Sequence, residues 1–191
     1  MAGRQAKSLT DPIIRKALSV TQARPLAKRD QVIILLSLRA GLRACEIAGL
    51  DWSMVLEPNG RVASSIAIPD TIAKMGSGRR IPMHPDLRKA LTKLALPASR
   101  IGPVVTSAKG GHLRPNSIVN WFVALFAEVG AAGCSSHSGR RTFITNAARN
   151  AHRSGATLRD VQLLAGHKSI EVTQRYIDGD SDAQRRLVHS L

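Results

Sequence analysis

The chain has 191 residues, with 28 Lys+Arg against 13 Asp+Glu and a formal net charge of +15. That length suits one domain, or at most two small ones, while 43% apolar content excludes a disordered basic tail. No heptad runs through it, no window offers the roughly 18 uninterrupted apolar residues of a membrane span, and the charged N-terminus has no signal-like apolar stretch. Two cysteines, Cys45 and Cys134, are too few for a disulfide framework or a zinc cage. A cytoplasmic protein with no membrane partner is expected.

In chain order, Asp30 is expected to cap a helix through the apolar run Val32–Leu36, ending at Ala40-Gly41. A short helix should follow from Arg43 to Ala48. From Arg61 to Met83 the apolar positions Val62, Ile66, Ile68 and Ile81 flank the loop Lys74-Met75-Gly76-Ser77-Gly78, the pattern of two or three short antiparallel strands. Pro85-Asp86 opens a helix to about Leu96, and the Gly-, Pro- and Ser-rich stretch from Pro97 to Gly111 reads as irregular. A longer helix from about Asn116 puts Ile118, Phe122, Leu125, Phe126 and Val129 on one face and stops at Gly130.

Ser136 is expected to cap a helix carrying His137, Arg140, Phe143 and Ile144. Thr157 and Asp160 are placed as a capping box for a helix ending at Gly166. Ser169 should start a helix holding Val172 and Tyr176, and Asp182 to His189 a last short one. The expected class is α+β, mainly α, with a small antiparallel sheet. Its expected parts are a short N-terminal segment (1–26), one domain (27–180) and a tail (181–191).

The positive excess implies a polyanionic partner. Its basic residues stand in ones and twos along the chain (Lys28-Arg29, Arg79-Arg80, Arg140-Arg141, Arg185-Arg186), which suits a folded surface against a duplex. Aromatics are only 3%, so stacking platforms for single strands are poorly supplied and double-stranded DNA is the expected partner.

Tyr176 is the only tyrosine. Upstream of it stand His167, in Leu-Leu-Ala-Gly-His, and His137-Ser138-Gly139-Arg140, where His and Arg three apart share a helix face and can grip one phosphate. Further upstream, Arg43 begins a helix with Glu46 one turn on, able to orient it. Each residue has an ordinary reading as well: Arg43 with Glu46 as a surface ion pair, the histidines as helix-end residues, Cys45 as packing. Arg79 or Arg80 could hold phosphate in place of Lys74.

Taken together and in order, GLRACEIAGLDW, the Lys74 loop, HSGRRTF and LLAGHKSIEVTQRY resemble the catalytic domain of the tyrosine recombinases, the phage integrase family. The resemblance runs from about Ala27 to Tyr176. It implies that Arg43 and Arg140 are the two catalytic arginines, Lys74 the hairpin lysine, His137 the histidine of the HxxR box, His167 the second histidine and Tyr176 the nucleophile. It also implies DNA strand cleavage and rejoining through a 3′-phosphotyrosine, with no cofactor or metal. A homo-tetramer on two duplexes, with accessory DNA-bending proteins, is implied too, in a bacterial, phage or mobile-element setting near the nucleoid.

The implied roles agree with the chemistry of the residues. Two guanidiniums can pair hydrogen bonds to the non-bridging oxygens where charge builds up. A phenol of pKa about 10 needs a base or a strongly positive site at neutral pH, and His137 can supply the base. Lys74 is the natural acid for the departing 5′-hydroxyl.

Ser138, Arg141 and Ala165 depart from common family choices without removing a catalytic group. About 26 residues precede the first expected core helix, too few for the helical domain that relatives carry there. A short family member or an isolated catalytic domain is therefore expected. Its alternatives are a type IB topoisomerase-like enzyme, a non-catalytic DNA-binding regulator on the same fold and, more remotely, a basic RNA-binding protein.

Overall fold

The computed structural model describes residues 6–95, 99–107, 109–176, 185 and 188–189. The chain forms two compact units, Met1–Phe143 and Ile144–Leu191. Among the described residues no helix is long and apolar enough to cross a membrane.

The first unit opens with a helix that the sequence reading does not place. α1 (Asp11–Gln22) starts with Pro in its first turn, where a missing N–H costs nothing, and buries Ala17 and Thr21. It packs on α2 (Ala27–Arg39), in which every residue from Val32 to Leu38 is buried. Asp30 is not the cap of α2: the capping position is Leu26, and Asp30 lies within the first turn, 2% exposed. A buried carboxylate must find cations. Asp30 accepts from Arg29 (Nη2 to Oδ1, 2.8 Å) and faces Arg24 (Nη1 to Oδ2, 3.6 Å).

After α3 (Ala44–Ala48) comes a two-stranded antiparallel sheet, β1 (Ser65–Ile68) and β2 (Arg79–Pro82), in which Ile66 faces Ile81 and Ile68 faces Arg79. In place of a third strand, Val62 makes only an isolated bridge to Leu56. α4 (Pro85–Leu94) is capped by His84, whose Nδ1 accepts from the Asp86 amide at 3.1 Å. It packs against α2. α5 (Pro115–Glu128) buries Ile118, Phe122, Leu125 and Phe126 as its periodicity requires, and packs on α3.

α6 (Ser138–Asn150) begins one turn after Cys134. The hydroxyl that receives the His137 amide there is that of Ser135 (3.3 Å), not Ser136, while Ser138 Oγ accepts from the Ser135 amide (3.0 Å). The boundary between the two units falls within this helix.

The second unit contains α7 (Leu158–Ala165) and α8 (Ile170–Gln174), packed on each other. The capping box forms as the sequence predicts: Asp160 Oδ2 accepts from the Thr157 amide (2.8 Å), and Thr157 Oγ1 from the Asp160 amide (3.4 Å). α7 ends on left-handed Gly166. α8 stops at Gln174, so Tyr176 lies in the turn beyond the helix and not on it. The helix expected over Asp182–His189 falls largely outside the described residues.

Candidate active site

In the first unit the site is built around the turn between α2 and α3. Gly41 adopts φ +63°, and a Cβ at this position would overlap the Phe143 ring, so only glycine fits the turn and its neighbour together. The Gly41 carbonyl accepts from Arg140 Nη1 at 2.6 Å, which fixes the guanidinium of a side chain only 4% exposed. Two residues on, Arg43 occupies the capping position of α3.

Glu46 does orient Arg43, but not as a surface pair. Its side chain is wholly buried, Oε2 accepting from the Arg43 amide (2.9 Å) and Oε1 from Arg43 Nη1 (3.0 Å). The same carboxylate receives Arg79 through both ends of its fork, Nη1 to Oε1 at 2.9 Å and Nη2 to Oε2 at 3.0 Å. Burial by itself would push the Glu46 carboxyl up. Hydrogen bonding and charge from Arg79, then the amide and charge of Arg43, outweigh it and hold the group below the ordinary glutamate value.

Lys74 is exposed on the turn between β1 and β2, next to Met75 and Gly76, both at positive φ. His137 stands just before α6. Its side chain reaches solvent, yet surrounding protein strips part of its hydration. That desolvation, followed by the charges of Arg140, Lys74 and Arg43, holds its pKa below the ordinary histidine value. The shift favours the neutral imidazole, with its lone pair available, in the field of three basic side chains. Arg43, Lys74, His137 and Arg140 thus come together in one unit.

His167 and Tyr176 come together in the other. The two rings stack, with centroids 5.5 Å apart and planes inclined by 25°. Nδ1 of His167 pairs with Oγ1 of the fully buried Thr173 at 2.9 Å, and the His167 carbonyl accepts from Gln162 Nε2 at 3.0 Å. The Tyr176 amide donates to the Thr173 carbonyl (3.0 Å), and the Tyr176 carbonyl accepts from Thr145 Oγ1 (3.4 Å). Tyr176 is partly exposed and not packed into an interior.

Sequence reasoning misses the place of Arg79 in this arrangement. A signal was present: on β2 Arg79 is two residues from buried Ile81 and so shares its face, whereas Arg80 points outward. A guanidinium on a core face requires acceptors, and here the Glu46 carboxylate supplies them. Thr173 and Gln162 leave no such trace. Among the described residues no group of three or more His, Cys, Asp or Glu is placed to hold a metal ion.

The model of the phage integrase family matches residues 7–182. Among curated proteins, tyrosine recombinase XerC of Rhodospirillum centenum is 31% identical over 175 residues, 89% of this chain and 48% of the relative. XerC of Brucella suis is 29% identical, covering 94% of this chain and 58% of the relative. The chain therefore spans about half the length of the curated relatives it matches. Among solved structures, XerA recombinase superposes with a TM-score of 0.75 at 21% identity, over 98% of this chain and 65% of that one. The Tn1549 transposon integrase in complex with a circular intermediate DNA gives 0.71 at 20%, over 100% and 67%. These two establish the shared fold. With the family match extending over nearly the whole sequence and the expected motifs all within it, the chain belongs to the phage integrase family.

Proposed function

We propose that the chain is the catalytic part of a site-specific DNA recombinase of the integrase or invertase type, cleaving and rejoining double-stranded DNA through a covalent 3′-phosphotyrosine. The observation that carries this reading is the gathering of Arg43, Lys74 and Arg140 about His137, with both guanidiniums already held by core acceptors. A structural surface gains nothing from such an arrangement, whereas a phosphoryl transfer uses each part of it.

In this mechanism Arg43 and Arg140 donate to the non-bridging oxygens of the scissile phosphate. Buried partners already fix both guanidiniums, so little reorganisation is needed as charge develops. The Tyr176 hydroxyl oxygen attacks phosphorus, its proton passing to His137. The bond from phosphorus to the 5′ oxygen breaks, and Lys74 protonates that oxygen. With Thr173 Oγ1 donating to Nδ1 of His167, Nε2 carries a proton to offer the phosphate. Rejoining reverses the steps with a new 5′-hydroxyl, and the energy of the broken bond is retained in the phosphotyrosyl ester.

Residues 27–180 form the catalytic domain in this reading, with α1 ahead of it and the tail 181–191 as the segment exchanged between protomers. The working assembly is a homo-tetramer on two duplexes in a bacterial cytoplasm, assisted by DNA-bending proteins. DNA binding weakens steeply with salt, as phosphate contacts require.

The test is covalent capture. The tagged chain is expressed in bacteria, purified under denaturing conditions, and its attached DNA sequenced. Wild type is expected to retain DNA ending at a common sequence, and Tyr176→Phe none. Equal recovery from both removes Tyr176 as nucleophile. Retarded DNA with no covalent product favours a non-catalytic binder, and plasmid relaxation without site preference a topoisomerase-like enzyme.

A further inference from the structure

Four hydrogen bonds from two arginines meet on the one buried carboxylate of Glu46. Arg43 is the phosphate-binding arginine of the reading above. Arg79, with a side chain only 6% exposed, stands at the end of the loop that carries Lys74. The same Arg79 Nη1 also donates to the Ser77 carbonyl at 3.4 Å, and Ser77 Oγ donates to the Lys74 carbonyl at 2.9 Å. A continuous path therefore runs from Glu46 through Arg79 and Ser77 to the backbone of Lys74. The loop is pinned again where the Gly78 amide donates to Asp70 Oδ1 at 2.7 Å.

We propose that Arg79 is a positioning residue, which through Glu46 locks the Lys74 loop to Arg43 so that the acid and the phosphate grip are held in one geometry. This rests on the recombinase reading, in which Lys74 protonates the leaving 5′ oxygen. A lysine on an exposed turn has four rotatable bonds, and its proton is useful only if the turn is held still. The two-pronged fork of Arg79 on both oxygens of a wholly buried carboxylate supplies that stiffness. Lysine at position 79 would keep the charge and lose the fork.

If Arg79 acts through Lys74, its loss should vanish when the leaving group needs no proton. A DNA substrate whose 5′-bridging oxygen is replaced by sulfur provides this, because a thiol of pKa about 8.5 departs readily as thiolate. The experiment measures single-turnover cleavage at saturating DNA on a suicide substrate built from the captured sequence, with oxygen or sulfur at that atom. Arg79→Met is expected to cleave the oxygen substrate about 10–100-fold more slowly than wild type and the sulfur substrate within about 3-fold, the pattern Lys74→Met should also show. DNA affinity should change little.

Equal loss on both substrates, or no loss on either, overturns the proposal, the first outcome meaning a general structural role. Should Arg79→Met fail to fold, Arg79→Lys gives the same reading: a partial loss on oxygen that sulfur restores supports it, and a loss that sulfur leaves unchanged overturns it. Wild type that forms no covalent product with either substrate removes the recombinase reading itself, a distinct result.

Discussion

The two units hold their candidate groups in opposite ways. In the first, Arg43 and Arg140 are fixed by buried acceptors, the Glu46 carboxylate and the Gly41 carbonyl, which belong to the packed core. In the second, Tyr176 is partly exposed just past a five-residue helix; its ring stacks on His167, its amide donates to the Thr173 carbonyl and its carbonyl accepts from the Thr145 hydroxyl. Arg43 and Arg140 are thus tied into the packed core of their unit, whereas Tyr176 stands at the partly exposed end of a short helix. A group that must only supply charge gains from rigidity. In the recombinase reading, one that must form and then release a covalent bond gains from being able to move.

If this contrast is sound, disturbing the first unit's site should cost far more stability than disturbing the second's. Glu46→Gln should have the largest effect, about 3–5 kcal/mol by urea unfolding, since two guanidiniums would lose a buried carboxylate at once. The pH dependence has a definite sign. The folded Glu46 carboxyl lies below its ordinary value of 4.5, so on acidification the unfolded chain takes up this proton first. The stabilisation is whole above that value and drains away as pH falls through the lower folded one. Glu46→Gln should flatten that part of the profile.

Next comes Gly41→Ala, which forces a left-handed residue and a methyl group into the Phe143 ring, at a cost of roughly 2–4 kcal/mol in the same measurement. In the second unit Thr157→Ala, which removes the cap of α7, should cost only about 1 kcal/mol. A Thr157→Ala loss as large as that of Glu46→Gln would break the contrast.

The smallest effect is electrostatic. The His137 ring, followed by NMR, should titrate below its ordinary 6.5, and Lys74→Met should move the midpoint up by removing one of the three charges. The acid limb of cleavage should move with it. A wild-type midpoint at or above 6.5 would show that desolvation and the three charges do not act on the ring as described.

Much of this was legible in the sequence where local chemistry decides the outcome. The spacing of Ile118, Phe122 and Leu125 gave α5, and the Thr157–Asp160 box fixed the start of α7, because both signals act within a few residues. α1 was invisible because its buried face is only Ala17 and Thr21, too small and too polar to show as an apolar stripe. Asp30 looked like a cap because an acidic residue before an apolar run normally is one. Its true partners, Arg24 and Arg29, precede it, and pairing by itself does not distinguish a buried ion from an exposed one. The six candidate residues are named through their motifs. The bond from Arg140 to Gly41 and the sharing of Glu46 by Arg43 and Arg79 join positions far apart in sequence, which no local pattern encodes.

The proposed covalent role of the Tyr176 phenolic oxygen is open to peptide mapping of captured protein–DNA adduct. After trypsin and nuclease digestion, a nucleotide mass is expected on the peptide that follows Arg175, fragmenting to place the phosphate on Tyr176. A nucleotide on any other residue, or adduct that persists in Tyr176→Phe, would contradict it.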